Sequence, residues 1–354
     1  MSVTTPQCCS GAAALAGRIL LLLGALTAGA PVLAQGATGS AAADSLIFVT
    51  TVAGQSQVAT IRADGTGYRR LTGPPRQSVG PVWSPDGRRI AFVRMSDDAA
   101  DIYVMGAGGD GQRRLTRGPG AFFLPAWSPD GRHLVFERRL HGRSQLFVID
   151  VDGAGPRPLT HLQGRATAPL WAPDGRRIAF VFTPLRGDPG LYVVGADGGR
   201  AEQLVPGPIL LRPGVLHPAW SPDGRRIAFV ERVGRAEQQI SIVNADGTGR
   251  TRLTTGYAPA WSPDGSRLAF VVARVGDAQI YIMEGEGTPA RRLTPSGVNL
   301  LPAWSPDGRR LAFLSSRNGS LDIWTMNADG TDQRRLAPAS GDLGMLPILG
   351  WRPR

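Results

Sequence analysis

The pentapeptide WSPDG stands at residues 83–87, 127–131, 220–224, 261–265 and 304–308, and WAPDG stands at 171–175. Successive tryptophans are 44, 44, 49, 41 and 43 residues apart. A fixed period of that size marks a repeat architecture, and roughly 40–50 residues suit one four-stranded propeller blade. The repeat identifies most of the chain as scaffold, so selectivity has to come from the parts that escape it.

One unit, residues 81–116, reads as follows. A short strand a ends at Trp83, and Ser84-Pro85-Asp86-Gly87 makes a tight turn. Proline presets φ at its first corner, aspartate bonds its own backbone, and glycine accepts positive φ. Strand b is Ile90-Ala91-Phe92-Val93, strand c runs from Asp101 to Met105, and a second Gly/Asp turn leads to strand d at residues 113–116. Short β-branched and aromatic runs of this kind suit strands. Gly (47) and Pro (29) are abundant, but they fall in turns between apolar runs, so the chain reads as all-β rather than disordered.

Strands b, c and d each recur seven times, whereas strand a with its PDG turn occurs six times. The seventh strand a is the C-terminal run ending at Trp351, and the first unit, residues 46–72, lacks one. The deficits match. The expected fold is a seven-bladed β-propeller of four-stranded antiparallel blades, with the C-terminal strand completing the N-terminal blade and so removing the open sheet edges. A six-bladed ring with residues 46–72 outside it is the alternative.

The WSPDG-x-x-IAF, DIY-x-M, ADG and RRLT segments resemble the TolB-like (WD40-like, PD40) propeller repeat over almost all of residues 46–354. The resemblance implies a propeller and suggests a protein-interaction role in the cell envelope. It departs from TolB itself in having no room for an N-terminal α/β domain and in showing seven units rather than six. Similar propellers gate prolyl oligopeptidases, but no hydrolase domain follows these repeats.

Before the repeats, Arg18 precedes an apolar stretch at residues 19–26, and Val32-Leu33-Ala34 offers small residues at the −3 and −1 positions of a cleavage site. Residues 1–34 read as a secretory signal peptide, with an uncleaved anchor as the alternative, and residues 35–45 as a flexible leader. An exported, periplasmic chain without a membrane span follows. Cys8 and Cys9 are the only cysteines, so the mature chain has no disulfide. The net charge is +11, and every basic side chain other than histidine is arginine. Most of these arginines occupy two repeated positions, after PDG and before LT. Charge is therefore spread around the ring, and a nucleic-acid partner is not expected.

Topology divides the loops. The a–b and c–d turns share one face, and the b–c and d–a loops share the other. Asp86, Asp130, Asp174, Asp223, Asp264 and Asp307 repeat too regularly for a catalytic set and read as turn formers, with Ca²⁺ binding as the alternative. The irregular face holds Phe122 and Phe123 in loop 117–124, Leu210, Leu211 and Arg212 in loop 206–217, and equivalent apolar residues at 300–301 and 345–346. These are candidate partner contacts, unless they pack between blades. Arg138, Arg139 and Arg143, with His141, form a basic b–c cluster suited to steering an acidic partner. Asp97, Asp98 and Asp101 form an acidic one on another blade.

None of His133, His141, His161 and His217 lies at metal-ligand spacing, and neither a GxSxG elbow nor a P-loop is present. No cofactor, metal or catalytic residue is expected. The competing reading is a hydrolase or lyase acting on saccharides or lactones, with His161, His217 and Asp188 at a channel site. The primary expectation is a monomeric, non-catalytic binding module whose partner is an envelope protein or peptide segment.

Overall fold

The structure, a computed structural model, describes residues 44–96, 99–153, 155–210, 217–234, 237–338 and 349–353. The expected signal peptide and most of the leader lie outside these residues, as do Asp97, Asp98, Leu211, Arg212, Met345 and Leu346.

The described residues form seven sets of four strands, each antiparallel in the order a-b-c-d. Blade 2 is typical, with Gln77–Trp83, Arg89–Ser96, Ala99–Gly106 and Arg113–Arg114. Blades 3 and 4 are joined by one parallel bridge between Ser144 and Arg165. Blade 1 combines Ser45–Val52, Gln55–Arg62 and Arg69–Arg70 with the C-terminal Gly350–Trp351 as its strand a. The pairs Leu46–Trp351 and Ile47–Gly350 close the ring as the matching deficits predict. The blade begins slightly before residue 46, because Ser45 is already in strand b and Asp44 bonds Arg310 of blade 7 at 2.7 Å.

The core lies between blades. Each strand b buries a phenylalanine at one repeated position: Phe48, Phe92, Phe136, Phe180, Phe229, Phe270 and Phe313. Blade 2 packs Ala91, Ile102 and Val104 on Phe122, Leu134 and Phe136 of blade 3. At the closure, Leu46, Phe48 and Trp351 pack with Leu311, Phe313 and Trp324 of blade 7. Dispersion and water exclusion thus run around the ring without a break.

The strand a tryptophans stitch neighbouring blades together. Trp127 Nε1 donates to Val82 O of the preceding blade at 3.2 Å, and Trp171, Trp220, Trp261, Trp304 and Trp351 do the same to their own predecessors. The arginine that opens strand b covers the next blade's indole, as Arg89 does over Trp127 and Arg310 over Trp351, both at 5.1 Å to the ring. Blade 1 has Ser45 at that position, and Arg352 from the C-terminus covers Trp83 instead, at 5.4 Å. Trp83 Nε1 has no hydrogen-bond partner among the described residues.

Strand a is longer than its sequence suggests. In blades 2, 3, 4, 6 and 7 it carries a register shift just before the tryptophan. Gly80, Leu124, Ala168, Ala258 and Leu301 sit there at φ of 53–60°, each followed by a proline. Proline cannot donate to the ladder, and a bulge lets the strand continue past it.

Candidate functional site

The two faces of the ring differ in regularity. On the PDG face, Ser84 Oγ donates to Asp86 Oδ1 at 2.5 Å and accepts the Arg89 N–H at 2.8 Å, while Arg88 N donates to the same carboxylate at 3.0 Å. Gly87 takes φ of 63°. The serine–aspartate bond recurs at Asp130, Asp223, Asp264 and Asp307. At Asp174, Ala172 stands in place of the serine, and the Arg176 N–H bond at 2.9 Å is kept. The serine hydroxyl is the main influence holding the Asp86, Asp130 and Asp223 carboxyls below their usual range, and it holds Asp264 down at about 2.

On the other face the b–c turns of blades 1 and 3 share one backbone, Ala53-Gly54 and His141-Gly142, and it is the side chains around them that differ. Blade 3 carries strand a at Ala121–Trp127, b at His133–Leu140 and c at Arg143–Asp150. Its b–c connection is only His141-Gly142, with both residues at positive φ (49° and 75°). That is the signature of a two-residue hairpin whose twist matches the strands it joins. Arg138, Arg139 and Arg143 therefore stand on strands rather than in a loop, and period-two alternation separates them. Arg138 and Leu140 face one side, where their cross-strand partners are Gln145 and Arg143. Arg139 faces the other.

These orientations decide the chemistry. Arg139 is committed to buried Glu137, which also accepts the Thr167 hydroxyl of blade 4, and its guanidinium lies over Phe123. Its charge is paired with Glu137 although the side chain stays part-exposed, which leaves it less free to steer a partner than the sequence suggests. Arg138 Nε donates to Pro119 O at 3.1 Å, and its guanidinium covers Phe122 and Phe147 at 5.9 and 5.3 Å. Arg143 is exposed and has no ion-pair or hydrogen-bond partner among the described residues. Arg138, Leu140, His141, Arg143, Gln145 and Phe147 line an open hollow of about 500 Å³.

The apolar candidates fare differently. Phe122 is 2 % exposed and meets Phe136 edge-on at 5.9 Å, so it belongs to the core. Phe123 is half-buried, and Leu300 is buried in the following strand a of blade 7, Asn299–Trp304. The bulge draws these residues from the expected loops into the sheet. Leu210 is half-buried against blades 5 and 6 and donates its N–H to Val230 O at 2.8 Å. Sequence reasoning missed Leu140, Gln145 and Phe147, although the His-Gly pair between alternating residues carried the signal.

Among the described residues, no three His, Cys, Asp or Glu side chains form a group suited to a metal ion. His161 is exposed, and Asp188 is exposed with its carboxylate 3.9 Å from Arg232. Burial pushes the His217 imidazole down to about 4, so it is neutral at pH 7. Among the described residues, no helix is long and apolar enough to cross a membrane.

No curated protein sequence matches the chain. Its fold is similar to that of TolB from Acinetobacter baumannii, with a TM-score of 0.56 at 18% identity over 88% of this chain and 83% of that one. It is also similar to an oligogalacturonate lyase from Vibrio parahaemolyticus, with a TM-score of 0.60 at 17% identity, covering 84% of this chain and 86% of that one. A puromycin-hydrolyzing peptidase from Mycobacterium tuberculosis gives a TM-score of 0.67 at 17% identity over 86% of this chain, which spans only 55% of that one. The family described as TolB beta propeller domain matches residues 38–256 and 208–343. With almost the whole ring inside that match, this chain belongs to the TolB beta propeller domain family.

Proposed function

We propose that the chain is an exported, non-catalytic binding module of the cell envelope that engages a protein or peptide through the b–c and d–a face. The observation that carries this reading is the contrast between the faces. The PDG turns repeat one hydrogen-bonded design and offer little to tell partners apart, whereas on the other face blade 3 presents an open basic hollow. Variation on a rigid scaffold is what selective recognition uses. Export rests on the apolar stretch and cleavage-type sequence before residue 35, and the TolB family supports an envelope setting.

The competing enzyme reading draws support from the lyase and peptidase likenesses. It needs converging acid, base or metal-ligating groups, for which the sequence offers His161, His217 and Asp188.

Photo-crosslinking in envelope extracts tests the module reading. A crosslinker placed at His141 is expected to yield a discrete adduct identifiable by mass spectrometry, and one at Arg88 is not. Adducts only from position 88 would move the site to the regular face. Adducts from neither, together with turnover of an oligosaccharide or lactone, would replace the reading with the enzyme.

A further inference from the structure

We infer that the blade 3 hollow is a docking site for an extended peptide carrying carboxylates at alternate positions, of the form acidic-x-acidic. The inference rests on the binding-module reading and names the chemistry of its partner.

The hollow offers donors and almost no acceptors. Gln145 is spent on its own chain, with Nε2 donating to Leu162 O at 2.8 Å and Oε1 accepting from the Thr160 hydroxyl and the Leu162 N–H, both at 2.9 Å. Glu137 is turned to the opposite side of the sheet and neutralised by Arg139. What remains is the exposed His141 imidazole at the rim, with the Arg143 guanidinium and the terminal nitrogens of Arg138, which have no partner among the described residues. A ligand must therefore accept hydrogen bonds without needing to donate them, as a carboxylate does and a sugar hydroxyl does not. Guanidinium presents a planar fork that matches a carboxylate with two parallel bonds.

Geometry sets the spacing. Because Arg138 pairs with Gln145 and Leu140 with Arg143, the two arginines are diagonal neighbours on one face of an antiparallel pair. Such neighbours lie roughly 7–8 Å apart. Side chains at i and i+2 of an extended peptide share a side and are roughly 6.6–6.8 Å apart. Leu140 and Phe147 supply apolar surface beside the charges. Arg138 is already held by Pro119 O and two aromatic rings, so little of its freedom is lost on binding.

The test is fluorescence anisotropy of the folded propeller with a labelled Ser-Glu-Leu-Glu-Ser peptide. The comparison probes are Ser-Gln-Leu-Gln-Ser, the adjacent-acid Ser-Glu-Glu-Leu-Ser, and trigalacturonate as competitor. Arg143→Glu lies at an exposed hairpin position and is expected to weaken the first peptide at least 10-fold with an unchanged circular dichroism spectrum. The triple variant Arg88→Gln/Arg176→Gln/Arg225→Gln removes more positive charge from the opposite face and is expected to stay within 2-fold. Equal losses from both variants would reduce the effect to net charge and overturn the site. Equal affinity for the alternate-acid, adjacent-acid and glutamine peptides would overturn the peptide geometry. Displacement by trigalacturonate at lower concentration than by unlabelled peptide would assign the hollow to an acidic saccharide instead. A discrete adduct at position 141 without selectivity among the peptides would overturn the acidic-x-acidic site and leave the binding-module reading standing, whereas failure of that reading shows in the crosslinking itself.

Discussion

The tryptophan stitching permits a controlled measurement of the ring's seam. Trp351 and Trp83 occupy the same strand a position, and each lies under an arginine, at 5.1 and 5.4 Å. They differ in two respects: Trp351 is buried where Trp83 is half-buried, and Trp351 Nε1 donates to Ala303 O at 2.9 Å whereas Trp83 Nε1 has no partner among the described residues. Replacing each by phenylalanine weakens a similar cation–π contact, and Trp261, half-buried like Trp83 yet donating to Ala219 O at 3.2 Å, is the control for the difference in burial. Trp351→Phe also loses a neutral hydrogen bond worth about 0.5–1.5 kcal/mol net. Trp83→Phe loses no such bond and removes a buried donor whose unmet desolvation costs about 1–3 kcal/mol. Trp83→Phe should therefore be the milder change by at least about 1 kcal/mol. Urea unfolding of both variants measures it, provided the slope stays constant so that midpoints report stability. Trp127→Phe and Trp304→Phe should behave like Trp351→Phe, since their indoles also donate across a blade boundary. If Trp83→Phe proves as destabilising as the others, the seam is bonded like every other boundary and the reasoning fails.

Acid should weaken the fold in two stages. Folded His217 protonates only near 4, whereas the unfolded side chain protonates near 6.5. Its contribution, up to about 3 kcal/mol, is full above 6.5 and lost as the pH falls to about 4. His217→Phe should flatten that part of a urea-midpoint profile against pH. Below the ordinary carboxylate pKa of 3.8, the serine-bonded aspartates add a second loss, which continues to about 2 for Asp264. Ala172→Ser should restore the missing turn bond of blade 4 and raise stability by about 0.5–1.5 kcal/mol, read from the same midpoints. Removing residues 349–354 takes Leu349 and Trp351 out of the core. Loss of the tryptophan side chain alone costs about 3–5 kcal/mol, so a sharply lower melting temperature is expected, with aggregation along the uncovered edge of Ser45–Val52.

The architecture was legible because its determinants are local and repeated. The tryptophan period gave the blade, the PDG turn gave the a–b connection, and the unmatched first and last units gave the closure now seen as Leu46 against Trp351. The irregular face was harder to read, for two physical reasons. Proline before each tryptophan looks like the start of a strand, yet a bulge carries the strand several residues further back, so Phe122 and Leu300 read as loop and fold as core. Arg138 and Arg139 are adjacent in sequence but point to opposite sides of the sheet, and reading them as loop residues hid the alternation that sets Arg139 beside Glu137 on the same strand.

The closure also predicts how the ring responds to force. The strand at Gly350–Trp351 runs antiparallel to Ser45–Val52, and Trp351 faces Leu46, so both chain ends leave the pair at the same point. Tension between them peels the contact open, loading the Arg352 N–H bond to Ser45 O first and the rest in succession, rather than shearing all of them at once. Elsewhere the load would meet longer ladders, such as the eight-residue register of Ser45–Val52 on Gln55–Arg62. Pulled by its termini, the propeller should part first at this short clasp and only then give up whole blades one after another.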